Sequence, residues 1–515
     1  KAAGGLVGLR RLSWICVLAL ALVCLSAVAS RAQSFLLRDV KFTESAYLSE
    51  EELNEVVAPW VGRQVTFDDL IAMMGAIRTH YLRSGIVTAE AVLPPQTIDG
   101  GVLRVDLIEA RIDRVEIDGF ARTRPEFLRR TISLEPGERP DFAQIERDLR
   151  IYELSHDIMP QIAFRPGDAV GTTTAVIQGE DTKPVQLSFS LDNFGREETG
   201  QTRGTVQARW SSVTGWRDSL LLQLEAARDS RSVAVRYSRP VDDFGGRAVL
   251  GLSRSDSALV VDPASGALIL SNNTSLQVGY RRPFGVSAAS AWFGEGGALV
   301  EGSRSSLGGV PFADMRLSEL YGTIGWSSRA PGRSFGFDLG LRLGRAEAVG
   351  TALTEGAYAI LSGGVSYARQ VGQGAVADIS LRAQLAPRAN LPVARVFSVG
   401  GVSTVRGYPV SVQSGDSGAL MRVQLSKLEP WTFGAENDWA VTPTSFFDLA
   451  HVVPYRQRGA IGPRPETLAA IGGGFQINWN NKVNGVMLAA LPLSNTSNFA
   501  GRGKPVFYFG VDYGI

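Results

Sequence analysis

The residues with the clearest chemistry are an arginine and an aspartate in the C-terminal part of the chain. Val405-Arg406-Gly407-Tyr408 lies in a long segment between two alternating stretches, and Phe446-Phe447-Asp448-Leu449-Ala450 places Asp448 on the face opposite its apolar neighbours. A guanidinium that meets a carboxylate in a confined space forms a strong, directional ion pair. Gly407 lets the backbone turn sharply beside it. A pair of this kind would anchor a loop; the alternative is that Arg406 and Asp448 are ordinary charges of a polar interior.

Residue patterns for enzymatic chemistry are missing from the sequence. The three histidines, His80, His156 and His451, are scattered without metal-ligand spacing. A glycine pattern over residues 372–377 loosely resembles a dinucleotide fingerprint, but it opens a strand instead of a helix. There is no phosphate-binding loop with Gly-Lys-Ser/Thr and no Gly-x-Ser-x-Gly nucleophile elbow. We therefore predict a protein that is not an enzyme and needs no metal or cofactor.

Composition excludes several classes of protein. The chain has 515 residues with 52 Lys+Arg against 51 Asp+Glu, a net charge of +1 that gives no general attraction for nucleic acid. Hydrophobic residues make up 44%, too many for a disordered chain. Outside the N-terminus there are no long apolar runs of the kind that form a helical membrane bundle. The 57 glycines instead favour many strands and turns.

The N-terminal 32 residues have the layout of a secretory signal peptide. Arg10 and Arg11 precede an apolar run over residues 12–29, and small residues follow at Ala29 and Ala32 for cleavage. A membrane anchor is the alternative, since the run is just long enough to span. Both cysteines, at positions 16 and 24, lie inside this segment, so we expect an exported, disulfide-free mature chain. Only a few residues remain between these cleavage sites and the first predicted strand. We therefore expect no additional N-terminal helix of ordinary length that could plug a pore.

Residues 36–180 contain an internal repeat. The two halves match at an offset of 75, and each reads strand, helix, turn, helix, strand, strand; Ser49 and Glu52 form a capping box in the first. We predict two small α+β domains over residues 33–110 and 111–183. A three-stranded sheet leaves an edge that can accept an extended client chain; a rigid spacer is the alternative. The matched pairs are Val40 with Val115, Phe42 with Ile117, Leu53 with Leu128, Val57 with Ile132, Phe67 with Phe142 and Leu70 with Ile145.

Residues 184–515 alternate in polarity and predict an antiparallel membrane β-barrel of sixteen strands. Apolar residues facing lipid and polar residues facing a wet lumen are typical of outer-membrane strands, and the last strand must pair with the first to close the barrel. A soluble sandwich or propeller is the alternative. The candidate strands are 184–194, 201–212, 218–228, 231–239, 246–255, 272–282, 288–300, 316–328, 334–346, 357–369, 374–387, 416–429, 442–453, 466–479, 482–492 and 504–515.

The longest predicted loop, residues 388–415, carries a motif that resembles a known family. Val405-Arg406-Gly407-Tyr408, placed after the eleventh strand, is similar to the motif of the two-partner secretion transporters (TpsB type, ShlB/FhaC/HecB), which share a superfamily with barrel-assembly proteins. The resemblance covers essentially the whole chain and implies two POTRA (polypeptide-transport-associated) domains before the barrel. It also implies that the loop folds into the lumen and that its arginine pairs with the aspartate of a Phe-x-Asp-x-Gly motif. Phe446, Asp448 and Ala450 match that motif, with Ala450 in place of the glycine.

The resemblance implies an outer-membrane secretion pore with its POTRA domains in the periplasm. They would capture an unfolded, hemolysin- or adhesin-like partner protein, and the loop 388–415 would gate the pore. Membrane lipid and the barrel-assembly machinery would be further partners. Two other functions stay open: a factor that assembles other barrels, and a passive porin, which would not need the repeats.

Overall fold

The computed structural model describes residues 34–262, 267–349, 355–386, 390–434, 438–455 and 464–515. The predicted signal peptide, residues 1–32, lies outside the described residues. The expectation that no plug helix precedes the first repeat also falls on that part of the chain. The chain divides into two compact units. The first comprises residues 34–114, 135–142 and 164–175, and the second comprises residues 115–134, 143–163 and 176–515.

The first repeat packs two helices against a three-stranded sheet. The predicted capping box is present, because Ser49 and Glu52 exchange hydrogen bonds at the start of the first helix. Leu53, Met73 and Tyr81 are buried in the core between helices and sheet. Its elements are β1 (Phe35–Leu36), β2 (Asp39–Phe42), α1 (Glu50–Val57), β3 (Gln64–Val65), α2 (Phe67–Arg83), β4 (Ala89–Val92) and β5 (Val102–Glu109). Strand β5 is central, with β2 parallel on one side and β4 antiparallel on the other.

The second repeat has the same strand order as the first. Its elements are β6 (Arg111–Asp118), α3 (Pro125–Thr131), α4 (Phe142–Ser155), β7 (Gln161–Pro166) and β8 (Thr172–Gln178). Its last strand, β8, is central in the order β6-β8-β7, as the last strand β5 is in the first repeat. The internal repeat predicted from the sequence is therefore confirmed as two copies of one fold. The residues of the second copy are divided between the two compact units, and the domain boundaries at 110/111 and 183/184 stay predictions.

The C-terminal region forms a closed antiparallel barrel. Each of the sixteen predicted segments coincides with one long barrel strand in the described part of the chain. The strands are β9 (Val185–Asp192), β10 (Arg203–Ser211), β11 (Ser219–Ala226), β12 (Ser230–Pro240), β13 (Arg247–Asp262), β14 (Ala267–Phe284), β15 (Ser290–Leu307), β16 (Val310–Ala330), β17 (Arg333–Val349), β18 (Gly356–Val371), β19 (Ala375–Leu385), the short loop strands β20 (Phe397–Val399) and β21 (Gln413–Gly415), then β22 (Ser417–Lys427), the three-residue β23 (Trp431–Phe433), β24 (Trp439–Val453), β25 (Glu466–Trp479), β26 (Val483–Pro492) and β27 (Val506–Gly514).

The barrel closes between its last and first strands, as predicted. Gly510 pairs with Asp192 and Gly514 with Ser188. Large apolar side chains such as Leu339 are exposed on the outer face, which suits contact with lipid. Among the helices of the described residues, none is both long and apolar enough to cross a membrane.

Strands β13 to β17 are longer than predicted. They contain 16, 18, 18, 21 and 17 residues. Beyond the predicted end of β15, Ser303 still pairs with Met315 and Arg304 with Asp314. The ladder thus continues where the alternation of apolar and polar residues has stopped, and periodicity alone cannot detect that extension.

Candidate functional site in the barrel lumen

Glycines shape the tip of the loop between β19 and β22. Gly400 and Gly401 adopt φ of 116° and 89°, a region that side chains disfavour. The N–H of Gly401 donates to the Tyr408 carbonyl at 3.0 Å. The Thr404 side chain also bonds to the backbone N–H and carbonyl of Gly400, each at 2.8 Å. These bonds close the tip into a compact turn that presents Arg406 to the barrel wall.

Arg406 and Asp448 form a buried, bidentate ion pair. The Nε of Arg406 donates to Asp448 Oδ2 at 2.7 Å, and a terminal guanidinium nitrogen donates to Oδ1 at 2.7 Å. The backbone N–H of Arg406 adds a third bond to the same carboxylate at 3.1 Å. The aspartate is completely buried and the arginine is 2% exposed. Two parallel bonds fix both distance and orientation, so this contact holds the loop in one position.

Neighbouring groups complete the surroundings of the guanidinium. Its carbon lies 3.4 Å from the centroid of the Phe446 ring, a close cation–π contact. Gln424 Oε1 accepts from Arg406 at 3.2 Å. A second arginine, Arg422, lies 3.5 Å from the Asp448 carboxylate and donates to the loop carbonyls of Val402 and Ser403. The Asp448 carboxylate therefore faces one arginine of the loop, Arg406, and one arginine of the barrel wall, Arg422.

The residues after Arg406 fasten the loop to two further strands and to the segment that follows β26. The N–H of Gly407 donates to the Tyr508 hydroxyl on β27 at 2.9 Å. The Tyr408 hydroxyl lies 2.8 Å from the Ala469 carbonyl on β25 and 2.9 Å from the Ser494 carbonyl after β26. Gly407 has φ 89°, and a Cβ there would lie 3.1 Å from Pro492. Only glycine fits this approach without strain.

Ala450 replaces the glycine of the family motif without keeping the loop away. Its methyl group is buried in an apolar cluster with Val405 and Tyr408 of the loop. The structure thus brings together every residue of the two predicted motifs, and their functional roles stay predictions. No sequence motif marked Gln424 or Tyr508, because each reaches the loop from a distant strand.

His156 and His451 each contact a neighbouring side chain. His156 stacks edge-on against Phe127, and burial, helped by the nearby positive charge of Arg247, lowers the pKa of His156 to about 3. His451 contacts the Thr467 hydroxyl through Nδ1 at 2.8 Å. Across the described ranges, no group of three or more His, Cys, Asp or Glu side chains is placed to hold a metal ion. The arrangement in the lumen can anchor a loop.

Fold and site together define an outer-membrane β-barrel with an inward-folded loop and N-terminal α+β repeats. The chain belongs to the haemolysin secretion/activation protein family ShlB/FhaC/HecB, whose profile matches residues 171–477, more than half of the chain. A POTRA domain of the ShlB type matches residues 35–110. The resemblance to two-partner secretion transporters is thereby confirmed, and the protein resides in the outer membrane with its POTRA region in the periplasm.

Individual relatives agree with this family. The chain is 24% identical over 203 residues to the heme/hemopexin transporter protein HuxB of Haemophilus influenzae, a match that covers 38% of this chain and 36% of HuxB. It is 24% identical over 224 residues to the outer membrane transporter CdiB of Escherichia coli, covering 42% of this chain and 37% of CdiB. The matched stretch thus spans little more than a third of either relative.

Solved structures show the same fold over nearly the whole chain. CdiB from Escherichia coli superposes with a TM-score of 0.71 at 21% identity, covering 95% of this chain and 92% of that one. CdiB from Acinetobacter baumannii gives a TM-score of 0.66 at 16% identity, covering 95% and 91%. At these identities the similarity establishes the fold alone.

Proposed function

We propose that this protein secretes an unfolded partner protein from the periplasm, through its barrel, to the cell surface. Membership of the haemolysin secretion/activation family supports this function, and both relatives described above are named as transporters. A hemolysin- or adhesin-like polypeptide is the kind of partner that the family suggests. The observation that carries the proposal is the Arg406–Asp448 pair, which holds a loop inside a closed barrel.

The interior of the barrel suits the passage of an extended polypeptide. Polar pairs line the wall, including Gln207 with Gln223 and Ser253 with Ser275. Polar side chains keep water in a lumen of this size, and an extended backbone needs such water because its hydrogen-bonding groups are not yet paired. The loop occupies this interior, so secretion requires it to move. We therefore assign loop 388–415 the role of the gate.

A buried ion pair is well suited to a gate. The attraction between Arg406 and Asp448 is largely offset by the loss of water from both charges, so the net stabilisation is modest. Removal of one partner alone is different, because it leaves an unpaired buried charge at a cost of about 3–5 kcal/mol. The pair therefore fixes the position of the loop strongly while a compensating charge or water can still release it.

The POTRA sheet offers an edge for client capture. In the described residues β4 pairs only with β5, through Ala89 opposite Glu109 and Ala91 opposite Leu107. The Ala110 N–H donates to the Thr88 carbonyl, and from there the bonding alternates so that the N–H groups of Ala89 and Ala91 point away from β5. These donors can pair with an extended chain.

The test is secretion by the variants Arg406→Ala and Asp448→Ala. We expect the amount of partner in the medium to fall by at least about tenfold, since the loop tip loses the contact that defines its closed position. Arg236→Ala, which removes a lumen arginine of β12, is the matched control and should secrete normally. Heat-modifiable migration on gels measures whether each barrel is folded. Normal secretion by both variants would remove the gating role.

A separate depletion experiment distinguishes secretion from barrel assembly. Loss of this protein should reduce one secreted partner and leave other outer-membrane proteins at their usual levels. A fall in many unrelated barrels would instead identify an assembly factor.

A further inference from the structure

A second arginine of the lumen loop is buried against the barrel wall. Arg395 ends a short 3-10 turn, Val393–Arg395, just before β20. Its Nε donates to Glu319 Oε1 at 2.6 Å, and a terminal nitrogen donates to Glu301 Oε2 at 2.8 Å. The side chains of Arg395, Glu301 and Glu319 are only 11%, 8% and 0% exposed. This contact is largely enclosed, although less completely than the pair formed by Arg406 and Asp448, whose side chains are 3% and 0% exposed.

The wall supplies a preformed acidic site for Arg395. Glu319 also accepts from Arg342 at 2.6 Å and from the Tyr358 hydroxyl at 2.5 Å. Asn273 donates to Glu301 at 2.9 Å. Without the loop, these wall residues hold two carboxylates and one guanidinium. Arg395 brings the second positive charge, so the loop neutralises a site that would otherwise carry an unpaired buried carboxylate.

The two arginines attach the loop to separate parts of the wall. Glu301 and Glu319 lie on β15 and β16, whereas Asp448 lies on β24. Four long strands, β17, β18, β19 and β22, lie between them in the barrel order, together with the three-residue β23. The loop therefore crosses the inner face of these four strands and is fastened on both sides.

We propose that Arg395 with Glu301 and Glu319 forms a second latch, so that the loop leaves the lumen only when both arginines have released their carboxylates. The proposal rests on the secretion function and on the gating role of Arg406. Its physical basis is tethering: when one latch breaks, the other keeps the released arginine close to its partner, at a high effective concentration. Single-latch openings are therefore brief, and long openings need the loss of both.

The test compares Arg395→Gln, Arg406→Gln and the double variant in planar lipid bilayers, using the purified mature chain. Each single variant should show short openings, and the double variant should have an open probability at least about tenfold above either single. Arg236→Gln is the matched control, because it removes a positive charge from β12, outside both latches. It should keep the closed channel of the unaltered protein. Arg395→Lys keeps the positive charge but lacks the planar guanidinium whose nitrogens reach both glutamates. Opening of this variant should therefore be intermediate.

Two results would overturn the proposal. In the first, the double variant behaves like Arg406→Gln alone; in the second, Arg236→Gln opens the channel as often as Arg395→Gln. If Arg395→Gln does not fold, Arg395→Lys combined with Arg406→Gln replaces it, and openings no longer than those of Arg406→Gln would overturn the proposal equally. Failure of the secretion function is distinguishable, because Arg406→Gln would then change neither secretion nor opening.

Discussion

At the scale of single residues, the backbone at Gly407 is as specific as the charges beside it. Its φ of 89° belongs to the left-handed region, which costs a residue with a Cβ about 1–2 kcal/mol. A Cβ would also stand 3.1–3.3 Å from the ring of Pro492. Strain at this position would be transmitted to both neighbours, since Arg406 and Tyr408 are held to the wall on either side of it.

We therefore expect Gly407→Ala to loosen the gate although every charge remains. The loop would shift by a few tenths of an ångström, which is enough to lengthen the parallel bonds between Arg406 and Asp448. Spontaneous openings in bilayers should become several-fold more frequent, and secretion should fall.

The control for this prediction is Gly372→Ala. Gly372 also has a positive φ, 60°, but no atom lies within 4 Å of its Cβ position, and it sits in the turn between β18 and β19. Gly372→Ala therefore carries the cost of a positive φ at a residue with a Cβ. It introduces no close contact, and it lies outside loop 388–415. Equal effects of the two substitutions would show that general destabilisation, and not the position of the loop, is responsible.

Residue types indicated part of this site but not all of it. Arg406, Gly407 and Asp448 stood out because a guanidinium, a glycine and an inward carboxylate occur in motifs. The contacts of Arg395 with Glu319 and Glu301, at 2.6 and 2.8 Å, are about as short, yet these residues pair across a long stretch of chain with no local pattern. Such pairing depends on the barrel register, which places lumen residues from distant strands side by side.

At the scale of elements, polarity alternation located the barrel strands because each one faces lipid on one side and water on the other. It failed to locate the ends of β13 to β17, where stretches such as the apolar Ala267–Leu270 and the polar Gly302–Ser306 do not alternate although the backbone ladder continues. The POTRA repeats were visible because each half needs the same apolar positions to pack its helices on its sheet.

The edge strand β4 makes a second prediction possible. Replacement Ala91→Pro removes a backbone donor that points away from β5, so the internal ladder stays intact while one outward hydrogen bond is lost. We expect binding of the unfolded partner to the full-length protein to weaken several-fold, as measured by pull-down from detergent solution, and secretion to fall with it.

Ala91→Val is the matched control, because it adds bulk to the same buried position and keeps the N–H. Its binding should remain near that of the unaltered protein. If both variants bind the partner normally, capture does not use this edge, and the second repeat, whose edge strands are β6 and β7, becomes the next candidate.

At the scale of the whole molecule, a closed barrel of this size would leak if its lumen were empty, since sixteen strands enclose an aqueous channel. The seal must therefore come from the chain itself. Replacement of residues 388–415 by a short turn tests this directly. Gln384 pairs with Gly418, so the ends of β19 and β22 already lie side by side and a turn can join them without disturbing the ladder.

We expect the shortened protein to insert normally and to conduct continuously in bilayers, with a conductance well above that of the intact chain. Cells that produce it should become sensitive to large polar antibiotics that the outer membrane normally excludes. A shortened barrel that stays closed would mean that another part of the chain seals the lumen, and the two arginine anchors would then hold a loop that is not the gate.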